Sequence, residues 1–344
     1  YQNYTYETSI TLGLSSHYQE YASDIITFFD DGTIALVVDL GSNDGSMLKA
    51  FQDNDCKVVG VEPATAIANK ACQNGIPTIN NFFCEKTQKH IVENHGHASI
   101  VTANYMFANI DNVIDFTNNA QNLLADDGIF VVLTGYHPDQ MTINMFDYIY
   151  HEHFSYFTIE VLQTLFSQCG LQIIDAQKVN AKGGSIRVVA QKTDGKRDVS
   201  AHFKEMLLQE RQLKMKEALT YIKFADTINH WKNELKFLCD KWKKQGKKIV
   251  GYGASHSTTT LVYHFELNDY LAYQVDDNPV KHGLYSPGHH IPVFSSDKIN
   301  LDKPDVIIIL AWNYAAPIIN KNQQYLKNGG IIVCPLPELK VITQ

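Results

Sequence analysis

The sequence has no close pair of cysteines and no long uninterrupted apolar run. Its six cysteines stand far apart, without a C-x-x-C pair. This spacing argues against a zinc ribbon built from these residues and against a disulfide scaffold. No apolar stretch approaches the roughly 20 residues that a membrane-spanning helix needs. We therefore predict a protein of the reducing cytoplasm that does not cross a membrane.

The sequence also lacks an excess of basic residues. Lysine and arginine total 29 against 37 acidic residues, which gives a formal net charge of −8. Nucleic-acid-binding domains are normally basic, so nucleic acid is not a predicted partner. The one basic cluster, residues 241–248, closes a predicted helix, where cations complement the helix dipole. We interpret it as a solvated helix end.

No signal peptide is recognisable, although the sequence begins at Tyr1 and not at methionine. A length of 344 residues predicts two or three domains. We place a first domain at 1–193, a helical linker at 194–246 and a C-terminal domain at 247–344. No dedicated dimerisation element stands out, so we expect a monomer.

The most informative stretch is ALVVDLGSNDGSMLKAF, residues 35–51. A buried parallel strand ends at Asp39-Leu40-Gly41, a turn of small residues follows, and an amphipathic helix begins after Gly45. This order places backbone N–H groups at the carboxyl edge of a sheet, where open α/β sheets bind ligands. The turn lacks the G-x-G-x-x-G spacing of dinucleotide sites.

A second strand, residues 57–61, ends in Glu62-Pro63. A carboxylate at this position can accept both hydroxyls of a ribose. Together with the glycine turn, the pattern resembles the class I S-adenosylmethionine (SAM) methyltransferases. The alternative is a generic strand–turn–helix unit. Asn104 follows the fourth predicted strand, beside the ligand crevice, and is predicted to contact the methionine part of SAM or the acceptor.

Two antiparallel edge strands, 171–178 and 185–191, complete the first predicted sheet. Between them lies K-G-G-S-I-R, residues 182–187. Two glycines permit close approach of a ligand, and Ser185 and Arg187 offer donors. The alternative is a β-bulge at the start of a strand.

A second α/β unit begins near Lys248. Gly251-x-Gly253 followed by Asp276 resembles a weak dinucleotide fingerprint, but the third glycine is missing. We therefore predict binding of the nucleotide part of a substrate and not of NAD. The alternative is a helper domain that binds nothing.

The run I-Y-H-E-H, residues 149–153, is predicted to carry the chemistry. Its histidine spacing differs from the H-E-x-x-H of helical zinc sites, so no metal is predicted. A histidine near its reference pKa can act as a general base at neutral pH. Removing a proton beside a ketone gives an enolate that attacks the SAM methyl group. The alternative is a buried histidine cluster that serves packing.

These motifs together resemble the sugar C-methyltransferases, which methylate carbon 3 of nucleotide-linked 4-keto-deoxysugars. The resemblance covers nearly the whole chain. It rests on DLGSNDGSML (39–48), VGVEPA (59–64), ANYMFANI (103–110), FDYIYHEHFSYFT (146–158), GGSIR (183–187), GYGA (251–254), VDDNPVKHGLYSPGHHIPV (275–293) and LAWNY (310–314). It implies a class I SAM methyltransferase domain, a doubly wound sheet, joined by a long helical segment to a second Rossmann-like α/β domain.

The resemblance implies roles for individual residues. His153 is implied as the catalytic base, with Tyr150 and Glu152 as its partners. The implied SAM contacts are Asp39, Gly41, Asn43, Asp44, Gly45, Glu62, Pro63 and Asn104. The predicted substrate contacts are Tyr4, Lys182, Gly184, Ser185, Arg187, Tyr252, Ser255, His256, Asp277, Asn278, Lys281, Trp312 and Asn313.

The chain departs from the family pattern in several places. Family members usually begin with a cysteine-ligated zinc module, which would end just before this sequence starts. Asn109 and Lys182 each stand where the family has histidine, and Ser255, His256 and Ser257 replace a proline- and lysine-containing stretch. Two rival hypotheses follow: a SAM-dependent O-methyltransferase acting on a sugar-like acceptor, or a non-catalytic nucleotide-sugar binder.

Overall fold

A computed structural model describes residues 14–29, 34–180 and 182–344 of the chain. Backbone contacts divide it into two compact units. The first comprises the described residues up to His137 together with Phe154–Gln212. The second comprises Pro138–His153 together with Leu213–Gln344. Each unit is described by itself.

The first unit is built on a seven-stranded sheet. Its strands are β1 (Val37–Leu40), β2 (Val58–Val61), β3 (Thr78–Ile79), β4 (Ala98–Asn104), β5 (Leu124–Gly135), β6 (Leu171–Val179) and β7 (Ser185–Lys192). They lie in the order β3-β2-β1-β4-β5-β7-β6, and β7 is antiparallel to both of its neighbours. The order reverses between β1 and β4, so the ligand crevice of an open α/β sheet is expected there.

Helices cover both faces of this sheet. They are α1 (Leu14–Ile26), α2 (Ser46–Gln52), α3 (Thr65–Gln73), α4 (Glu85–His95), α5 (Val113–Leu123), α7 (Ile159–Gln168) and α8 (Ala201–Gln212), with α6 (His137–Thr142) at the boundary between the units. The central strands β1, β2 and β4 are almost entirely buried, and most of their residues are apolar, as expected for strands covered on both faces. Thr158 caps α7 by accepting the N–H of Val161 at 3.2 Å.

The second unit has its own six-stranded sheet. Its strands are β8 (Ile249–Tyr252), β9 (Leu271–Asp276), β10 (Val293–Ser295), β11 (Val306–Ile309), β12 (Ile331–Cys334) and β13 (Lys340–Ile342). The order is β10-β9-β8-β11-β12-β13, parallel except for β13. This is the strand order of dinucleotide-binding folds. Its helices are α9 (Ala218–Lys244), α10 (His256–His264), α11 (Lys298–Asp302), α12 (Ala315–Lys321) and α13 (Gln323–Lys327).

The predicted fold class is confirmed: a doubly wound methyltransferase domain, a long helical segment and a second Rossmann-like domain. In α9, Ile228, Leu235 and Trp242 are buried, as their spacing predicts, together with Cys239, whereas Trp231 and Leu238 of the same predicted pattern are half-buried. The division at residues 193/194 and 246/247 stays a prediction. Within the residues described, none of the helices combines the length and apolar character needed to cross a bilayer.

Candidate active site

A cavity of about 360 Å³ opens in the first unit at the carboxyl ends of β1, β2 and β4. It lies where the strand order reverses, as expected for a ligand crevice. Six of the eight predicted cofactor residues line it, namely Asp39, Gly41, Asn43, Glu62, Pro63 and Asn104. The structure thus brings most of the predicted cofactor set together in one cavity.

Asp39 lies at the floor of the cavity and is only 3% exposed. Its Oδ1 accepts hydrogen bonds from Thr102 Oγ1 at 2.6 Å and from Asn104 Nδ2 at 3.2 Å. Burial raises the pKa of Asp39 from its ordinary value to about 7, although the two hydrogen bonds oppose the shift. The carboxyl group can therefore be ionised when a positive ligand lies beside it, and β4 holds it in place.

Glu62 closes the end of β2 and orients the glycine turn. Its carboxylate accepts the N–H of Asn43 at 2.9 Å and the N–H of Ala64 at 2.8 Å. Burial raises its pKa, and these two hydrogen bonds lower it. Each carboxylate oxygen keeps a second lone pair, so both can still accept ligand hydroxyls. This geometry suits a ribose with two vicinal hydroxyls.

The remaining two predicted cofactor residues support the turn and do not line the cavity. Asp44 Oδ1 accepts from the backbone N–H and the hydroxyl of Ser46, at 3.2 and 2.6 Å, at the start of α2. Gly45 has φ +80°, and a Cβ there would lie 2.9 Å from Ile76 Cγ1. A side chain at Gly45 would therefore clash and strain the turn.

Several lining residues were not in the predicted set. They are mainly aromatic or apolar and include Tyr18, Phe82, Phe83, Tyr105, Met106 and Ile110. Phe82 and Phe83 follow β3, at the position where a flat heterocyclic ring can stack on side chains. The signal available in the sequence was the N-F-F run directly after the third strand.

Only Lys182 of the predicted K-G-G-S-I-R residues lines the cavity. Gly184 supplies a carbonyl to the N–H of Tyr136 at 3.1 Å. Ser185 is fully buried in β7, and the Arg187 guanidinium donates to Asp24 Oδ2 at 3.0 Å and Gln177 Oε1 at 2.7 Å. Strand pairing and burial engage both residues within the sheet, and their predicted contacts with substrate stay predictions.

The I-Y-H-E-H run belongs to the second unit, although it lies between first-unit segments in the chain. His153 Nδ1 lies 2.9 Å from the carbonyl oxygen of Tyr148. A carbonyl only accepts, so Nδ1 carries the proton of the neutral ring and Nε2 is the basic nitrogen. The Tyr150 ring lies 4.4 Å from the His153 ring, centroid to centroid. The backbone therefore selects the tautomer that a base at Nε2 requires.

Residues of α10 lie beside this run. His256 Nδ1 is 3.9 Å from Glu152 Oε2, and its ring centroid is 5.9 Å from that of Tyr150. Thr260 Oγ1 donates to the carbonyl of Ile149 at 3.1 Å. His256, predicted as a substrate contact, is therefore a neighbour of Glu152 and Tyr150, the predicted partners of the base.

Asp147, two residues before the I-Y-H-E-H run, ties it to the core of the second unit. It is 1% exposed, and its Oδ2 accepts the indole N–H of Trp312 at 2.9 Å. Burial raises the pKa of Asp147 from its ordinary value to about 6, while the bond from Trp312 opposes the shift. Trp312 was predicted to bind substrate. In the structure the tryptophan is buried and its one donor is used by Asp147, and the predicted contact with substrate stays a prediction.

The other predicted substrate residues of the second unit gather at the carboxyl edge of β8 and β9. Tyr252 donates its hydroxyl to Asp277, which also accepts from Ser296 at 2.6 Å. Asp276 accepts the N–H of Ala254 at 2.8 Å and pairs with Lys281 at 3.0 Å. Two further predicted substrate residues act as helix caps: Ser255 at the start of α10 and Asn278 at the turn after β9.

Two predicted substrate residues fall outside these clusters. Asn313 is exposed in the turn after β11, next to the buried Trp312. Tyr4 lies outside the described residues. Among the residues described, no group of three or more histidine, cysteine, aspartate or glutamate side chains is arranged to hold a metal ion.

Known proteins match both halves of the chain. The profile of a methyltransferase domain family matches residues 14–176, and that of the C-methyltransferase C-terminal domain matches residues 180–337. C-methyltransferase NovU of Streptomyces niveus is 36% identical over 309 residues, covering 90% of this chain and 74% of the relative.

Solved structures are more distant. A SAM-dependent methyltransferase from Archaeoglobus fulgidus is 12% identical, with a TM-score of 0.42 over 52% of this chain and 94% of its own. Magnesium protoporphyrin IX methyltransferase from Synechocystis PCC 6803, with bound S-adenosylhomocysteine (SAH), is also 12% identical, with a TM-score of 0.41 over 52% of this chain and 84% of its own.

The strand order of the first unit and its cavity define a class I methyltransferase domain. The extent and identity of the match to NovU define the family more narrowly, and the chain belongs to the SAM-dependent C-methyltransferases. It is an enzyme whose cofactor is SAM.

Proposed function

We propose that this enzyme methylates a carbon next to the ketone of a nucleotide-linked deoxysugar, with His153 as the base that forms the enolate. The observation that carries the proposal is the bond between His153 Nδ1 and the carbonyl of Tyr148 at 2.9 Å. It holds the ring with Nε2 as proton acceptor, and a positioned base typically contributes about 10² to 10⁴ in rate.

SAM is proposed to occupy the cavity of the first unit, where it supplies an electrophilic methyl group. Glu62 would accept the ribose hydroxyls, Phe82 and Phe83 would contact the adenine, and Asp39 would face the positive charges. The backbone turn at Gly41, with φ +73°, lets the ligand approach the main chain. The cofactor's positive sulfonium suits this cavity because three lining residues are acidic, namely Asp39, Glu62 and Asp111.

The base step moves one proton and one electron pair. His153 Nε2 takes the proton from the carbon beside the ketone, and the C–H electron pair becomes the enolate. The enolate carbon bonds to the methyl group, and the C–S electron pair leaves with SAH. Tyr150, whose ring contacts His153, is proposed to position the acceptor or donate to the enolate oxygen. Glu152, which lies beside His256, is proposed to stabilise the imidazolium that forms when His153 takes the proton.

The second unit is proposed to hold the nucleotide of the acceptor. Its strand order is that of nucleotide-binding folds, and Tyr252, Asp277, Asn278 and Lys281 gather at the carboxyl edge of its sheet. His256 is the first residue of α10, which follows β8, and Asn313 lies in the turn that follows β11. We also propose that the chain consists of the three parts 1–193, 194–246 and 247–344. We further propose that the protein is a monomer and that it is located in the cytoplasm. The six free cysteines among the described residues are compatible with a reducing compartment.

The proposal is tested by product analysis with SAM carrying a ¹³C-labelled methyl group and dTDP-4-keto-6-deoxyglucose as the probe acceptor. We expect NMR to show the label bonded to a ring carbon next to the ketone. The His153→Asn variant should lose turnover by at least about 10²-fold while binding SAH as well as the parent. His151→Asn is the matched control, since His151 is exposed.

A label on oxygen would replace this proposal with an O-methyltransferase. SAH binding without turnover on any of several keto-sugar nucleotides would favour a non-catalytic nucleotide-sugar binder.

A further inference from the structure

The charges that line the cavity are unevenly distributed. The described lining residues include three acids, Asp39, Glu62 and Asp111, and a single base, Lys182. The charges of SAM are complementary to those of the cavity. Its sulfonium and ammonium groups are positive, and its one carboxylate is negative. A cavity that holds this ligand needs acceptors for the two cations and one donor of positive charge for the carboxylate.

Lys182 lies at the β4 side of the cavity. Its Nζ is 3.8 Å from the centroid of the Tyr105 ring, within the range of a cation–π interaction. Tyr105 directly follows Asn104, whose amide donates to Asp39 at 3.2 Å. Glu62, the proposed ribose acceptor, ends β2, and β1 separates β2 from β4 in the sheet. Lys182 is therefore beside the end of β4, whereas the ribose is assigned to the end of β2.

The backbone at Lys182 is in an unfavourable conformation. Its φ is +50°, and two other non-glycine residues of the lining, Asn43 at +48° and Tyr105 at +54°, share this left-handed region. The conformation costs a lysine about 1–2 kcal/mol. Gly183 and Gly184 beside it adopt positive φ without that cost. Strained residues of this kind cluster at ligand sites, which indicates that the lysine side chain is needed where it stands.

The ammonium of Lys182 is available for an anion. In the part of the chain that the structure describes, Lys182 makes no ion pair, and its amino group lies over the Tyr105 ring. The residue is exposed overall, yet protein atoms around the amino group lower its pKa from the ordinary value to about 8 by desolvation. A carboxylate beside it would restore the charged form.

We propose that Lys182 binds the carboxylate of the methionine part of SAM and so positions the cofactor. Asp39 then faces the ammonium of the same amino acid. The inference rests on the proposal that SAM occupies this cavity. It reassigns Lys182 from the acceptor, its predicted ligand, to the cofactor.

The test is isothermal titration of the full chain and its Lys182→Met variant with two ligands. One is SAH; the other is decarboxylated SAH, which keeps the ammonium and lacks the carboxylate. We expect the variant to bind SAH about 10- to 100-fold more weakly and to bind the decarboxylated ligand as well as the parent does. Lys182→Arg, which keeps the charge, should recover part of the SAH affinity.

Three outcomes would contradict the inference. Unchanged SAH affinity in Lys182→Met would show that no contact exists. Equal weakening for both ligands would show a general disturbance of the cavity. Unchanged SAH affinity with a raised KM for the acceptor would return Lys182 to the acceptor site. Failure of the unaltered chain to bind SAH would instead reject the cavity as the cofactor site.

Discussion

Asp39 shows how one buried carboxyl group links pH to the stability of the first unit. Its pKa is about 7 in the folded chain, against an ordinary value of 3.8. Between these values the folded state holds a proton that the unfolded state has lost. Stability therefore falls as pH rises through this window, by up to about 1.4 kcal/mol per pH unit from this group.

We predict that Asp39→Asn removes this slope. Without ligand, the parent chain should lose stability relative to the variant as pH rises from about 4 to 7, and the difference should level off above pH 7. The measurement is the thermal midpoint of both proteins across that range. Parallel curves for the two proteins would show that Asp39 titrates normally. Without ligand, burial favours the protonated form of Asp39, and a positive ligand beside it should favour the ionised form instead. Cations such as SAM should therefore bind more tightly as pH rises through 7.

At the scale of elements, the bond between Asp147 and Trp312 joins the short helical turn at Phe146–Tyr148 to the end of β11. The Phe146 ring also stacks on Phe265, with centroids 5.3 Å apart. The run that bears His153 is thereby fixed to the core of the second unit.

We predict that Trp312→Phe destabilises the second unit by about 1–2 kcal/mol more at pH 7.5 than at pH 5. The bond from Trp312 lowers the pKa of Asp147, so its loss leaves a buried carboxylate without that donor when the group is ionised. At pH 5 the carboxyl group is protonated in the folded state, and the penalty shrinks. Urea unfolding followed by tryptophan fluorescence measures this, because all three tryptophans lie in the second unit.

The double variant Asp147→Asn, Trp312→Phe is the control. It removes the ionisable group, so its stability relative to the single variant Asp147→Asn should not depend on pH over this range. A pH-independent loss in Trp312→Phe alone would attribute the effect to packing and not to the charge.

Much of each unit could be predicted from local sequence. Continuous apolar runs predicted the strands around Val38 and Ile307. The glycine turn and Glu62 predicted the position of the cavity. Helix α4 was not predicted, because EKTQKHIVENH has few apolar positions and Ile91 alone among its aliphatic residues is fully buried. The donors of Trp312 and Arg187 bond to Asp147 and Asp24, partners distant in sequence that the local pattern does not indicate. Such pairings exist only in the folded chain.

At the scale of the whole molecule, the chain crosses between its two units three times. It leaves the first unit after His137, returns at Phe154 and leaves again after Gln212. The proposed cofactor cavity therefore belongs to the first unit, and the predicted base belongs to the second. The proposed reaction requires residues of both, so a variant that impairs the base is expected to leave cofactor binding intact.

The most direct test of carbon methylation through an enolate is hydrogen exchange at the acceptor without methyl transfer. The protein, saturated with SAH, is incubated in deuterated water with dTDP-4-keto-6-deoxyglucose, and NMR follows the protons beside the ketone. We predict that the parent accelerates exchange at one such carbon, that His151→Asn does the same, and that His153→Asn does not. Equal exchange by the parent and His153→Asn would contradict the assignment of His153 as the base.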